Sequence, residues 1–331
     1  MIDFAIAAVM KNEAPYLIEW LEYHLLVGVQ HFFLSSNDCG AAAGTVRQLL
    51  QPYVQRGRVT LDTRFACAPG AVQGAAYARM HERNGSSASW TAHIDVDEFV
   101  VIANHTWKVR DVFARLEALG ARLVAMPWRI FGSGGHRLKP SGSVLASYTR
   151  RAAVGTSFHA KSYKSVARRG TCLQPTVHSC KLRVTGGLLD PGNRLWTPEG
   201  QLFSISSHTV PDSATCAHRR PTAHGNEGVA ASRAAHPPCV LWLNHYRTKS
   251  DEEWEAKKKR GQADTGKHLE GAPPKYADVR DDFIVASVLA RLARLPKAER
   301  DRVARILGVA HLARASASLP SISHRSSSEL G

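Results

Sequence analysis

The sequence predicts an α/β fold with a mostly parallel central sheet. Short, unbroken apolar runs alternate with helical patterns from the N-terminus onward, and polar clusters follow several of those runs directly. The composition is that of an ordinary globular protein. The 331 residues are 44% hydrophobic and 21% charged, which excludes a mostly disordered chain and leaves ample length for a core. There is no run of 18 or more apolar residues, so no membrane-spanning helix is expected.

Phe4 to Met10 is continuously apolar, as a strand buried on both faces should be. It is too short for a targeting segment, and Asp3 stands where a signal peptide carries positive charge. Tyr16 to Val27 reads as a helix, with Leu17, Leu21, His24 and Leu25 on one face and Trp20 beside them. Pro15 suits its first turn and Gly28 its stop. Val29 to Leu34 is a second strand, Thr45 to Tyr53 a helix, Val59 to Leu61 a third strand and Ala71 to Asn84 a helix. Trp90 to Asp95 is a fourth strand that ends in acid. Parallel sheets bind ligands beyond the carboxyl ends of their strands. Lys11-Asn12-Glu13, Asn37-Asp38 and Asp95-Val96-Asp97 all sit just past predicted strands, so they can converge on one crevice.

Gly132 to Pro238 is rich in Gly, Pro, Ser and His and reads as loops and hairpins over that crevice. Val240 to His245 returns to strand character. Asp251 to Arg260 is a charged helix, Asp281 to Leu295 an amphipathic one, and the Ser-rich tail from Ala315 is expected to be disordered. The expected organisation is a single domain over 1–300, in two halves that meet at about residue 130, then a helix end and tail over 301–331. Six cysteines include no C-x-x-C pair; they read as reduced, buried thiols of a cytosolic protein, although a Cys172–Cys180 bridge is conceivable. The net charge of +15 points to an anionic partner: nucleic acid, an acidic membrane surface or a phosphorylated small molecule.

Asp95, Asp97 and Glu98 gather three carboxylates at one strand end. On a strand Asp95 and Asp97 share a face, and like charges that close favour a hard cation between them. Oxygen ligands suit Mg²⁺ or Mn²⁺, which can grip a diphosphate leaving group. The competing reading is a solvated acidic turn. His245 follows the last clear strand and can complete such a site, and Lys249 can meet a phosphate. Against this, His245 could simply pack at a strand end. Lys257 to Arg260 reads as a solvated helix face or a membrane contact. There is no G-x-S-x-G elbow, P-loop or G-x-G-x-x-G.

These segments together resemble GT-A-fold glycosyltransferases of the family-2-like and family-92-like kind. The likeness rests on four blocks. The first is Lys11-Asn12-Glu13 with Tyr16-Leu17, Glu19-Trp20-Leu21 and Tyr23-His24; the second is Trp90 through Phe99. The third is Phe131 to His136 with Pro140, and the fourth is Asn244-His245-Tyr246 with Lys249-Ser250, Glu253-Trp254, Lys257 and Arg260-Gly261. The resemblance implies a GT-A (nucleotide-diphospho-sugar transferase) fold, a UDP-sugar or similar donor, bound Mn²⁺ or Mg²⁺, and inverting transfer to a glycan, lipid-linked or other hydroxyl acceptor. Residue by residue, it gives Asp95 and Asp97 to the metal and donor diphosphate, His245 to the metal and Lys249 to the departing phosphates. Lys11, Asn12, Glu13, Asn37 and Asp38 would line the nucleoside pocket, and His136 would lie on a loop over the sugar. The half to about residue 130 would hold the nucleotide sugar and the half from 131 to 300 the acceptor. The segment after Leu34 departs from the family pattern: Asn37 fits, but the surrounding acids are missing.

The catalytic base is expected among the acids of the Leu182 to Cys239 insert, with Glu227 in a polar loop preferred to Asp190 and Asp212. The expected location is cytoplasmic, with peripheral contact at the inner membrane face. An alternative is a non-catalytic basic adaptor that keeps a degenerate GT-A fold. A nucleic-acid-binding module lacks any supporting motif.

Overall fold

The computed structural model describes residues 1–153, 162–182, 184–185, 188–189, 195–200, 202–203, 240–261, 268–274 and 276–317. The first half alternates as its apolar pattern predicts: β1 (Ile2–Met10), α1 (Ala14–Leu26), β2 (His31–Ser36), α2 (Gly40–Gln55), β3 (Val59–Asp62), α3 (Gln73–Asn84) and β4 (Ala88–His93). Then come β5 (Glu98–Ile102), α4 (Val109–Ala118), β6 (Leu123–Ile130), α5 (Val144–Ser147), β7 (Arg150–Arg151) and β8 (Tyr163–Arg168). Short strands follow: β9 (Cys172–Pro175), β10 (Cys180–Leu182), β11 (Val184–Thr185), β12 (Leu188–Leu189), β13 (Leu195–Trp196) and β14 (Leu202–Phe203). The described chain closes with β15 (Leu241–His245), α6 (Asp251–Arg260), β16 (Val279–Arg280), α7 (Phe283–Leu292), α8 (Lys297–Ile306) and α9 (Ala310–Ala317).

The main sheet runs β14-β13-β6-β8-β4-β1-β2-β3. It is parallel from β4 through β1 and β2 to β3, the half that carries the predicted strand ends. The rest is mixed, because β8 inserts antiparallel between β4 and β6. Residues 163–168 were expected among loops and hairpins; they form a central strand instead. β15 lies between β5 and β6, and its register sets His245 opposite Glu98.

β1 shows why its run is apolar on both faces. Phe4, Ile6, Ala8 and Met10 enter the large core with α1, α2 and α4, while Ala5, Ala7 and Val9 face α3 through Ala76, Tyr77 and Met80. Small residues on the α3 side let that helix approach the sheet closely. Val303, Leu307 and Val309 are buried in the large core beside Ile284 and Val288, so packed chain continues past residue 300. The helix α9 extends through Ala315 to Ala317, where a disordered tail was expected to begin.

Two further expectations are corrected. β4 stops at His93, and Glu98 N–H donates to Asp95 O (3.0 Å), closing a turn. Asp95 and Asp97 therefore ride a turn and do not share a strand face. The cysteines are not all thiols: Cys39 and Cys67 form a disulfide, while Cys172 and Cys180 are free and buried. The bridge ties the start of α2 to the loop after β3. Among the described residues, no helix is long and apolar enough to cross a membrane.

Candidate active site

The carboxyl ends of β1, β2 and β4 open into a cleft of about 390 Å³. Lys11 and Glu13 enter it from the turn after β1, Asn37 from the end of β2, and Asp95 and Asp97 from the turn after β4. The opposite wall holds Lys164, Trp128, His178, His245 and Arg247, and the end of α6 adds Lys257 and Arg260.

Local sequence explains each placement. Asn12 takes a left-handed backbone (φ 58°), and its N–H donates to Asp38 Oδ1 (2.6 Å). That contact turns the chain from β1 into α1, where Pro15 costs no hydrogen bond. Helix α6 starts with a capping box: the Ser250 hydroxyl and the Glu253 carboxylate satisfy each other's backbone N–H. Its first turn carries Asp251, Glu252 and Glu253 and its last turn Lys257 to Arg260, both signs matching the helix dipole. Lys257 and Arg260 thus reach the cleft from the C-terminal end.

The cleft's charges are paired. Lys164 is fully buried; its ammonium donates to Asp95 Oδ2 (2.9 Å) and to Val177 O (2.7 Å), and lies 3.6 Å from Glu98 Oε2. Burial alone would lower its pKa, but Asp95 and Glu98 raise it, so it stays charged. Gln73 Nε2 donates to the other Asp95 oxygen (2.8 Å). Lys257 Nζ donates to Asp97 Oδ2 (2.7 Å) and to Arg247 O (3.0 Å). Burial works to raise the pKa of Asp97, and Lys257 and His245 hold it well below the usual carboxylate range. Arg260 pairs with Glu13 and donates to Lys11 O.

His245 Nε2 lies 3.5 Å from Asp97 Oδ1, and its other nitrogen faces Glu98 Oε1 at 3.8 Å. Burial pushes the imidazole down, keeping it neutral. Glu98 is fully buried, and burial raises its carboxyl well above its ordinary value. Neither His245 Nδ1 nor Glu98 Oε1 has a hydrogen-bond partner, although both are buried. A metal-ligating histidine donates its rear N–H to such an acceptor; here Nδ1 faces Glu98 without that bond. Asp97 Oδ1 and the neutral His245 Nε2, 3.5 Å apart, fit as two donors to a hard cation. Among the described residues, no group of three or more His, Cys, Asp or Glu side chains forms a full cage.

The other predicted residues divide. Lys11, Glu13 and Asn37 line the cleft, although Asn37 Nδ2 donates to Phe65 O (2.6 Å) and Ala68 O (3.0 Å), holding the loop that carries Cys67. Asp38 is buried and accepts from Asn12 N–H and the Ser36 hydroxyl, shaping the turn without lining the cleft. His136 lies on an exposed loop with Nε2 3.2 Å from Ser147 O, away from the cleft lining. Lys249 is buried with its ammonium 4.1 Å over the Tyr16 ring, also outside the lining. Glu227 lies outside the described residues, as do Asp190 and Asp212.

The sequence reading missed Lys164, Gln73, Trp128 and Arg247. Trp128 packs against both His178 and His245. A lysine inside the run Tyr163-Lys164-Ser165-Val166-Ala167 was the available signal, since a buried lysine needs an anion beside it.

Residues 5–118 match the model of Glycosyltransferase family 92. A family 92 glycosyltransferase protein of Oryza sativa subsp. japonica is 27% identical over 176 residues, covering 50% of this chain and 27% of its own length. A second family 92 protein, from Ricinus communis, is 26% identical over 194 residues, covering 55% of this chain and 32% of its own. The chain thus spans a third or less of the length of these relatives.

Proposed function

We propose that this chain, family-92-like over residues 5–118 and a glycosyltransferase by that likeness, transfers a sugar from a nucleoside-diphosphate donor to a hydroxyl acceptor. The observation that carries this reading is the convergence of Asp95, Asp97, Lys164, Lys257 and Arg260 on one cleft at the carboxyl ends of the parallel strands. Carboxylates and cations interleaved there suit a diphosphate, with or without a divalent ion between them.

In transfer, the acceptor oxygen bonds to the anomeric carbon while the bond from that carbon to the diphosphate breaks. The nucleoside diphosphate departs with the electron pair, and a base takes the acceptor proton. With inversion, the base stands on the face opposite the leaving group; Glu227 remains the residue proposed for that role. Asp97 and His245 would hold Mn²⁺ or Mg²⁺, which supplies charge neutralisation for the leaving diphosphate when bound. Lys257 and Arg260 stand where ammonium and guanidinium groups can take over the same oxygens, a role the sequence reading gave to Lys249. Lys11 and Asn37 line the cleft and would face the nucleoside of the donor, for which a UDP-sugar is the proposed form.

The test is release of UDP from a panel of UDP-sugars with Mn²⁺ or Mg²⁺, run on the wild type and on Asp97→Ala. Loss of a carboxylate from the leaving-group site should cost about 3 kcal/mol in the barrier, or on the order of a hundredfold in rate. Turnover retained by a well-folded Asp97→Ala would remove the site assignment.

A further inference from the structure

A second cavity, of about 790 Å³, lies at the opposite rim of the sheet. It sits where α1 ends, before β2 and β3 begin, so it opens at the amino ends of the same parallel strands whose carboxyl ends form the cleft. Five of its lining residues are cations: Arg56, Arg58, Lys108, Arg110 and Arg302. Only Glu22 and Glu299 oppose them in the lining.

Those two acids offset two of the five positive charges and leave three unbalanced. Glu22 is spent on Arg302, which donates to both of its oxygens (2.6 and 3.0 Å), and it also accepts from the Tyr53 hydroxyl (2.7 Å). Among the described residues, none of Arg56, Arg58 and Lys108 makes an ion pair. Arg58 donates to Gln30 O (3.2 Å) and Lys108 to Leu26 O (2.8 Å), both backbone carbonyls that leave the positive charge uncancelled. Arg110 has Asp111 at 3.6 Å, an exposed contact of little strength.

The cationic groups are also held in place against their own repulsion. The Lys108 stem lies across Gly28: a side chain there would meet Lys108 Cβ at 2.7 Å, and Gly28 has φ +101°. The Lys108 N–H donates to Asp111 Oδ2 (2.7 Å), which fixes the Lys108 backbone at the start of α4. Lys108 and Arg110 thus stand at a helix N-terminus, where the dipole disfavours positive charge. Burial, with Arg291 next in size, pushes the Lys108 ammonium below its ordinary value, and Asp111 only partly opposes this. An anion in the groove would relieve each of these costs together.

We infer that this groove is a second binding site, separate from the cleft, for the phosphate groups of an anionic ligand. The same chemistry is offered by a soluble phosphorylated compound and by the headgroups of an acidic membrane. Val54, 44% exposed on the last turn of α2, and the partly exposed Leu25 and Leu295 add apolar surface beside the cations. The inference does not rest on the transferase reading; only the UDP block in one arm of its test does, and the vesicle arm is independent of it.

The experiment compares the full chain with Arg56→Ala/Arg58→Ala/Arg110→Ala, three exposed positions that pack no core. One arm titrates inorganic pyrophosphate by calorimetry, with UDP added to occupy the cleft. The other cosediments protein with phosphatidylglycerol/phosphatidylcholine vesicles, against phosphatidylcholine alone, at rising salt. UDP binding and melting temperature serve as controls for fold and cleft. A tenfold or greater loss of UDP-resistant pyrophosphate binding in the variant supports the site with a soluble ligand. A like loss of salt-sensitive vesicle binding supports it with a lipid source. If the variant matches the wild type within twofold in both arms, or the wild type binds neither probe, the inference is overturned.

Discussion

Glu19 offers a quantitative test of how the site's framework is held. Its carboxylate is buried on α1, and its two oxygens accept from Val144 N–H (2.9 Å) and Leu145 N–H (3.0 Å) at the start of α5. Burial raises its pKa from 4.5 to about 7, with the two backbone donors and Lys249 opposing. A carboxyl whose folded pKa lies above its unfolded one favours the folded state in acid. Its stabilisation is complete below pH 4.5 and is lost as pH rises through about 7. Between pH 5 and pH 8 the loss should be about 2–3 kcal/mol.

Glu19→Gln abolishes this titration. The amide keeps one acceptor and turns N–H groups toward the second backbone donor, at a cost of about 1–3 kcal/mol for an unsatisfied buried donor. At pH 5 the variant should therefore be clearly less stable than the wild type. By pH 8 the gap should shrink by about 2–3 kcal/mol, so that it closes or changes sign. Urea unfolding followed by tryptophan fluorescence at several pH values measures both curves. A gap that stays constant from pH 5 to pH 8 would refute the argument, because the loss would then be packing alone.

Three further outcomes are expected. Lys164→Met should destabilise the protein by about 3 kcal/mol at pH 7, since it leaves Asp95 and Glu98 without their buried cation; wild-type urea stability would show that the triad contributes nothing. Gly28→Ala should cost about 1–3 kcal/mol, because the left-handed backbone and the Lys108 stem both resist a side chain; the melting curve checks it, and an unchanged midpoint would refute it. Lys257→Ala should weaken binding of UDP with Mg²⁺ at least tenfold and also cost about 3 kcal/mol of stability, because it strips the buried Asp97 of its main cation; equal UDP affinity in the folded variant would exclude Lys257 from the diphosphate site.

What was legible in the sequence follows physical rules. β1 and β2 bury both faces, so their apolar runs are continuous, and α6 announces itself with Ser250, Glu253 and Gly261 at its ends. β8 was not legible. Its order Tyr163-Lys164-Ser165-Val166 carries a charge inside the run, and only Asp95 and Glu98, far away in sequence, make that charge tolerable. The bridge between Cys39 and Cys67 spans 28 residues, a separation with no local signature. The choice between Lys249 and Lys257 turned on helix phase. Lys257 and Gly261 follow the buried Trp254 at three and seven residues, on one face, whereas Lys249 precedes the helix and folds back on Tyr16.

The pairing inside the cleft bears on how a donor would be received. Each cation that reaches it from β8 or α6 already holds a carboxylate: Lys164 with Asp95, Lys257 with Asp97, Arg260 with Glu13. A diphosphate entering such a site must compete with protein carboxylates for the same N–H donors, so its gain is the difference between two ion pairs and not the whole of one. Lys164, fully buried and bound to Val177 O as well, has little freedom to exchange partners. Lys257 is partly exposed and reaches Asp97 from a helix end, so it is the cation that can change partners at least cost. Asp97 meets Lys257 through one oxygen and His245 through the other. Were a divalent ion held by Asp97 and His245, it would supply the charge that Lys257 now supplies, and Lys257 would be free to turn toward the phosphates of a donor. Ion and diphosphate would then favour each other's binding through one shared lysine.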